Sequence, residues 1–242
     1  MSFWDLSVSV TPPGGYLQPI PVTLGPSWEP NDIRMLFMAA AGAENDAAIQ
    51  LVMQPNPPTG FTAAYSLNPT HETLGAFYRR LVTGDTVQNV ALAKQNQWQY
   101  YMQGLLTARG VSPTNAPMAG LLGLSYTVGS AAATVASVAV PSAGVMVFFV
   151  GNVQDPEGGW PSWPSSMGCP TGWTNLVATD NSGVTYFAYD TNPAILVIGK
   201  VFTAAGSTGS VSIPLTQGSP AFLGMYMFLP AAADVSITLG AA

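Results

Sequence analysis

The chain has 242 residues and a mass of 25.2 kDa, room for one large domain or two of about 100 to 120 residues. Charged residues make up 7% of it and hydrophobic ones 48%, so its surface is polar without charge or is covered by other protein. A net charge of −6, with Arg79 and Arg80 the only adjacent basic residues, leaves no electrostatic footprint for nucleic acid, and one cysteine, Cys169, excludes an internal disulfide framework or a multi-cysteine metal site.

The first ten residues, MSFWDLSVSV, lack the basic stretch and apolar run of a secretory signal. Residues 1–16 end in the turn-rich TPPGG and are expected to form an N-terminal arm reaching out of the body. Beyond it, 25 glycines and 21 prolines punctuate apolar segments rich in Val, Phe, Tyr and Thr, which predicts short strands joined by turns. A helix is plausible only at AGAENDAAIQLV, where Asn45 and Asp46 weaken it.

At Pro58 the chain reads PTGFT, and at Pro170, 112 positions on (170 − 58), it reads PTGWT. The same offset lays MLFMAA (Met35–Ala40) on VFFVGN (Val147–Asn152). Small insertions then match RRLVT (Arg79–Thr83) to GKVFT (Gly199–Thr203) and NVALAKQ (Asn89–Gln95) to SIPLTQG (Ser212–Gly218). Last, WQYYMQGLL (Trp98–Leu106) pairs with FLGMYMFLP (Phe222–Pro230). Block order is kept throughout, which reads as a tandem duplication; the alternative is two β-rich halves sharing composition and a turn by chance. The expected architecture is all-β, two tandem antiparallel β-sandwiches of jelly-roll type: copy one at 17–110, a Pro- and Asn-rich connection at 111–120, and copy two at 121–242. Copy two closes on DVSITLG (Asp234–Gly240), whose alternation predicts a half-buried strand.

From Gly110 to Gln154 no residue is charged, and Ala131–Val150 has the length of a membrane span. Pro141, Ser142 and Gly144 break that run, and its counterpart in copy one carries Glu29, Asp32 and Arg34, so two buried strands and a turn are expected instead.

Between the matched blocks the copies diverge. Copy two has VQDPEGGWPSWPSSMGC, in which Trp160 and Trp163 are each followed by proline. Rings held so rigidly suit sugar or protein recognition, or fold back to cap the sandwich. Asp155 and Glu157 in that loop, like Glu44 and Asp46 in the matched one, offer oxygens for calcium without an EF-hand pattern. The one histidine, His71, has only Glu72 and threonines nearby and reads as an exposed loop residue; Cys169 reads as a structural thiol. Twelve carboxylates show no catalytic spacing and no phosphate loop is present, so neither catalysis nor a cofactor is expected.

The block from Pro170 to Leu215, with Gly172, Trp173 and Thr174, then Ser182 and Gly183, Lys200, and the turn Thr203–Gly206, resembles a module of tail and virion proteins of bacteriophages, particularly those of actinobacterial hosts. Copy one departs from that pattern: Phe61 stands for the tryptophan and no Ser-Gly turn follows. The resemblance implies a virion structural protein, a minor tail protein that assembles with copies of itself and with other tail proteins. It also implies release by host lysis, so that a protein made in the host cytoplasm reaches the virion without a signal. Phe3 and Trp4 would then anchor the arm in a neighbouring subunit. The alternatives it leaves are a receptor-binding module for a host cell-wall glycan, acting through Trp160, Trp163, Asp155 and Glu157, and a capsid decoration protein.

Overall fold

The computed structural model describes residues 2–11, 20–22, 29–42, 60–67, 72–85, 88–90, 98–125, 130–152, 167–176, 194–215 and 222–232. Every regular element among them is a strand, so the described part is all-β. The first half contributes β1 (Ser2–Thr11), β2 (Ile20–Val22), β3 (Ile33–Gly42), β4 (Thr62–Leu67), β5 (Glu72–Arg80), β6 (Gln88–Val90) and β7 (Trp98–Arg109). The second contributes β8 (Met118–Leu121), β9 (Leu124–Ser125), β10 (Ala132–Val135), β11 (Ala139–Val140), β12 (Gly144–Asn152), β13 (Thr174–Asn175), β14 (Ala194–Phe202), β15 (Gly206–Ser207), β16 (Val211–Pro214) and β17 (Phe222–Pro230).

Each half builds one five-stranded antiparallel sheet. The first has the order β1-β7-β3-β5-β4 and the second, read from its other edge, β8-β17-β12-β14-β13. In both, the opening strand lies beside the closing one, and the closing strand beside the long central one, β3 or β12. A pair, β2-β6, and two further small sheets, β16-β10-β9 and β11-β15, complete the described strands.

The sequence GVMVFFV of β12 explains how these layers stack. Successive side chains of a strand point to opposite faces, and all six residues from Val145 to Val150 are buried. Val145, Val147 and Phe149 enter one core together with Ile33, Met35 and Phe37 of β3. Met146, Phe148 and Val150 enter another with Ala133, Val135, Val211 and Ile213. The second large sheet is therefore the middle layer, covered on one face by the first large sheet and on the other by β10 and β16. A sheet buried twice reads as a continuous apolar run instead of an alternating one. Ala131–Val150 accordingly divides into β10, β11 and β12 around the Pro141–Ser142 break, and no helix among the described residues is long and apolar enough to cross a membrane.

The outermost small sheet shows the complementary pattern: in β10 and β16, Ala133, Val135, Val211 and Ile213 are buried while Thr134 and Ser212 are exposed. Across the other interface, β3 lies against β12 and β14, β7 against β14, β5 against β17, and β4 against β8.

Four expectations from the sequence need adjusting. Residues 2–11 do not reach out as an arm but run along β7, with Phe3 opposite Ala108 and Trp4 opposite Thr107; the alternation Leu6-Ser7-Val8-Ser9-Val10 suits a strand. The connection is tied down as well. Ser112 N donates to Pro230 O (2.8 Å), Ala232 N to Gly110 O (2.9 Å), and Met118 already opens β8. The halves are not independent sandwiches in series, because one core draws on both. Finally, two matched blocks are out of step. Arg80 lies opposite Ile33 as Val201 lies opposite Val145, an offset of 121 (201 − 80) where RRLVT on GKVFT has 120 (199 − 79). Ala108 lies opposite Ile33 as Leu229 lies opposite Val145, again 121 (229 − 108) where Trp98 on Phe222 has 124 (222 − 98). Beyond Gly42 the expected helix, and all of the expected strand at Asp234–Gly240, fall outside the described residues.

The PTG motif of the second half is a turn. Trp173 N donates to Pro170 O (3.1 Å), and Gly172 between them has φ 79°, as Gly60 has φ 83° in the first half. Glycine alone enters that left-handed region without strain, and a turn with glycine in its third position requires it.

Gly144, which opens β12, is held by packing. A Cβ there would collide with the Leu229 carbonyl oxygen and the Phe228 ring. Gly144→Ala should thus lower the unfolding free energy by about 1–3 kcal/mol, the ordinary cost of overpacking, read from urea denaturation.

Candidate interaction surfaces

The first half gathers its charges at one end of its sheet. Asp32, just before β3, closes a turn by accepting from Glu29 N (2.7 Å), and Arg109 at the end of β7 donates to both of its carboxylate oxygens (Nε to Oδ1 3.3 Å, Nη2 to Oδ2 3.2 Å). Arg109 also pairs with Glu29 (3.0 Å). Burial pushes the Asp32 carboxyl above its ordinary value of 3.8, against the lowering influence of the Glu29 amide and of Arg109. Asp85 repeats this arrangement in the turn after β5, pairing with Arg79 and accepting from Val82 N (2.8 Å). Both buried carboxylates are thus engaged in turn closure and arginine pairing.

Arg80 has a different task. Its guanidinium donates to three carbonyl oxygens, those of Asn31 (3.1 Å), Ser112 (2.9 Å) and Asn115 (3.3 Å). It clasps the connecting segment to the first sheet.

On the face of that sheet turned away from the middle layer, Arg34 is fully buried and donates from Nε to Thr107 Oγ1 (3.2 Å), its neighbour across the ladder. The corresponding positions of the second sheet are Met146 (34 + 112) and Phe228 (107 + 121), likewise paired across their ladder and packed in an apolar core. One half holds a polar pair where the other holds a hydrophobic one.

The second half carries a single described charge between Gly110 and Ala232, Lys200. Its ammonium lies 5.9 Å from the ring centroid of Trp173 and 5.6 Å from that of Phe202, and Trp173 in turn stacks on Phe148 at 4.3 Å. The tryptophan of the PTG turn is therefore an anchor into the core, roofed by a cation. Cys169 sits beneath the same turn, its thiol 3.3 Å from Trp173 O, and burial raises its pKa above 9.0.

Large apolar side chains stand exposed at three described positions: Val82 (54%), Met118 (47%) and Leu121 (43%). Two of them open and close β8, the outermost strand of the middle layer, which carries no charge and is paired on one side only among the described residues. Edge strands are ordinarily blunted by charge, a bulge or a cover; Pro117 before β8 limits its length and nothing in its sequence repels a neighbour. Sequence reasoning placed Met118–Gly120 in the connection and Leu121 at the start of copy two, because four residues are too few to show a period.

Of the residues singled out from the sequence, Phe3 and Trp4 lie in β1, whereas His71, Trp160, Trp163, Asp155 and Glu157 fall outside the described residues. Among the described residues no group of three His, Cys, Asp or Glu side chains could hold a metal ion. Comparison with protein families, curated proteins and solved structures finds no match for the chain.

Two outcomes follow from these microenvironments. Because the folded carboxyl of Asp32 binds its proton more tightly than the unfolded one, its contribution to stability is greatest below 3.8 and is lost as pH rises through the folded value. Asp32→Asn should flatten that part of the profile in urea midpoints taken from about pH 3.5 to about 6. Cys169, with its thiolate disfavoured by burial, should react with iodoacetamide at pH 8 more slowly than free cysteine, reaching the free rate only in denaturant.

Proposed function

We propose that the chain is a structural component of a bacteriophage virion, a minor tail protein that works by protein–protein contacts at the tail or tail tip and performs no catalysis. We further propose that it arose by tandem duplication of one antiparallel sandwich of jelly-roll type, a fold in wide use in viral capsids and lectins.

The duplication is supported by the common strand order of the two large sheets and by the small pairs β2-β6 and β10-β16. Matching Ile20 to Ala132 at the same 112 offset sets their ladder partners Val90 and Pro214 together (214 − 90 = 124), one residue from the sequence match of Val90 to Ile213 (213 − 90 = 123). Fold by itself does not specify a role. The virion role leans on the resemblance of the Pro170–Leu215 block to phage tail modules, and the observation that carries assembly is β8. An uncharged edge bearing exposed Met118 and Leu121 suits pairing with another chain, where main-chain hydrogen bonds give affinity and the flanking side chains give selectivity.

Light scattering of the purified protein over a range of concentrations tests the assembly. The expected mass is a multiple of 25.2 kDa that drops to the single-chain value in the double variant Met118→Asp, Leu121→Asp. A wild-type mass of one chain at every concentration overturns self-assembly.

A further inference from the structure

The buried face between the two large sheets has a property that neither sheet has alone. With Ile33 matched to Val145, the ladders match β5 to β14 and β7 to β17 at an offset of 121. The side chains meeting in the shared core are then the same positions twice: Ile33 and Val145, Met35 and Val147, Ala76 and Val197, Leu106 and Met227, Ala108 and Leu229. The stacking is reciprocal at two of its contacts: β7 lies on β14 and β5 on β17, so the layer over each penultimate strand is the closing strand of the other half, whereas β3 on β14 and β4 on β8 have no mirrored contact of like extent. β3 lies on its own counterpart β12, and there Phe37 meets Phe149 with ring centroids 4.9 Å apart. These two residues are themselves a matched pair (37 + 112 = 149), and a residue meets its own counterpart only close to a two-fold axis. A second meeting lies where β7 and β17 end. Val111 follows Ala108 by three residues, Ala231 follows Leu229 by two, and the two bridge antiparallel, within one residue of the symmetric position.

We infer that an approximate two-fold axis runs along the strands between β3 and β12, so that the buried inter-sheet face is a self-complementary docking surface whose natural partner is a second copy of the same half. The chain is a dimer of like modules joined by the Val111–Pro117 segment. A half on its own would expose an apolar face built to close on its own likeness, as isologous interfaces do. The inference rests on the duplication proposed above and adds how the duplicated modules recognise each other.

The test keeps the full chain. Residues Pro113–Ala116 are exposed, and a recognition sequence for a specific protease inserted after Thr114 allows the folded protein to be cut between its halves. Size exclusion and native mass spectrometry should find the halves still paired after cleavage. Once the cut protein is unfolded in urea and refolded, pairs of like halves should appear beside the mixed pair. Halves that separate on cleavage, or that refold only as the mixed pair, overturn the inference. A second measurement does not depend on the cut. Met35→Val and Val147→Met should each lower the urea midpoint, and the two together should restore it, because the axis exchanges these positions; losses that simply add argue against the axis. Absence of like pairs leaves the duplication and the virion reading in place, since those are judged by the mass of the uncut protein.

Discussion

Burial of the second large sheet on both faces is the constraint from which the rest of the molecule follows. Its central strand has no face on which a charge could reach water, and an unpaired charge between two apolar layers would cost several kcal/mol. The unbroken apolar run Val145–Val150 is the sequence record of that position. Each large apolar side chain so placed contributes about 1.5–3 kcal/mol relative to exposure, but only while both covers are present. The first sheet is one of those covers, so the halves depend on one another: without it, Val145, Val147, Phe149, Met225, Met227 and Leu229 would form an exposed patch of a size that soluble monomers rarely carry.

The central strand of the middle layer holds no charge and its neighbour β14 carries one, Lys200, set over aromatic rings, so among the described residues the ion pairs collect in the first half. Asp32 with Arg109 and Asp85 with Arg79 close turns at the sheet end, and Arg80 secures the chain as it leaves one sheet for the other. Arg34 shows how far the two halves differ. A fully buried guanidinium bonded to Thr107 occupies the place that Met146 and Phe228 fill with hydrocarbon. A buried ion is weak support for stability, and its value where it occurs is in fixing a particular arrangement of its neighbours. The outer face of the first sheet is thereby marked as chemically distinct from that of the second, although the inner faces remain alike.

How much of this was legible in the sequence depended on the range of the interaction. Turns were legible, because a left-handed glycine after proline and threonine is a local requirement, and both PTG motifs could be read as turns from five residues. The strands of Ala131–Val150 were legible from a proline break and β-branched composition. What was not legible was which layer covers which. The continuous apolar sequence of β12 asks for cover on both faces, but it does not say which other strands supply either cover. The arm was misread for a related reason: Pro12, Pro13, Gly14 and Gly15 mark a turn, but whether the residues before a turn return to the sheet is decided by the free edge of β7, ninety residues away in the chain. The slip of three residues at β17 has the same origin, because aromatic and methionine-rich runs resemble each other in several registers and only the ladder to β12 selects one.

This layering also changes what scarcity of charge can be taken to mean. From composition alone, a chain with 7% charged residues asks for partners to cover its surface. A share of that demand is met inside the molecule, where one sheet serves as cover for another and consumes apolar side chains on four faces instead of two. The case for assembly with other chains must accordingly rest on side chains that the fold leaves uncovered. Among the described residues those are few and specific: Met118 and Leu121 on an edge strand without charge, and Val82 at the tip of the turn closed by Asp85. An edge of four residues offers far less than the roughly 800 Å² per partner of a stable interface, so β8 can serve as the register of a contact but must be joined by neighbouring surface to hold one. An assembly built this way would be directional at the strand and permissive around it.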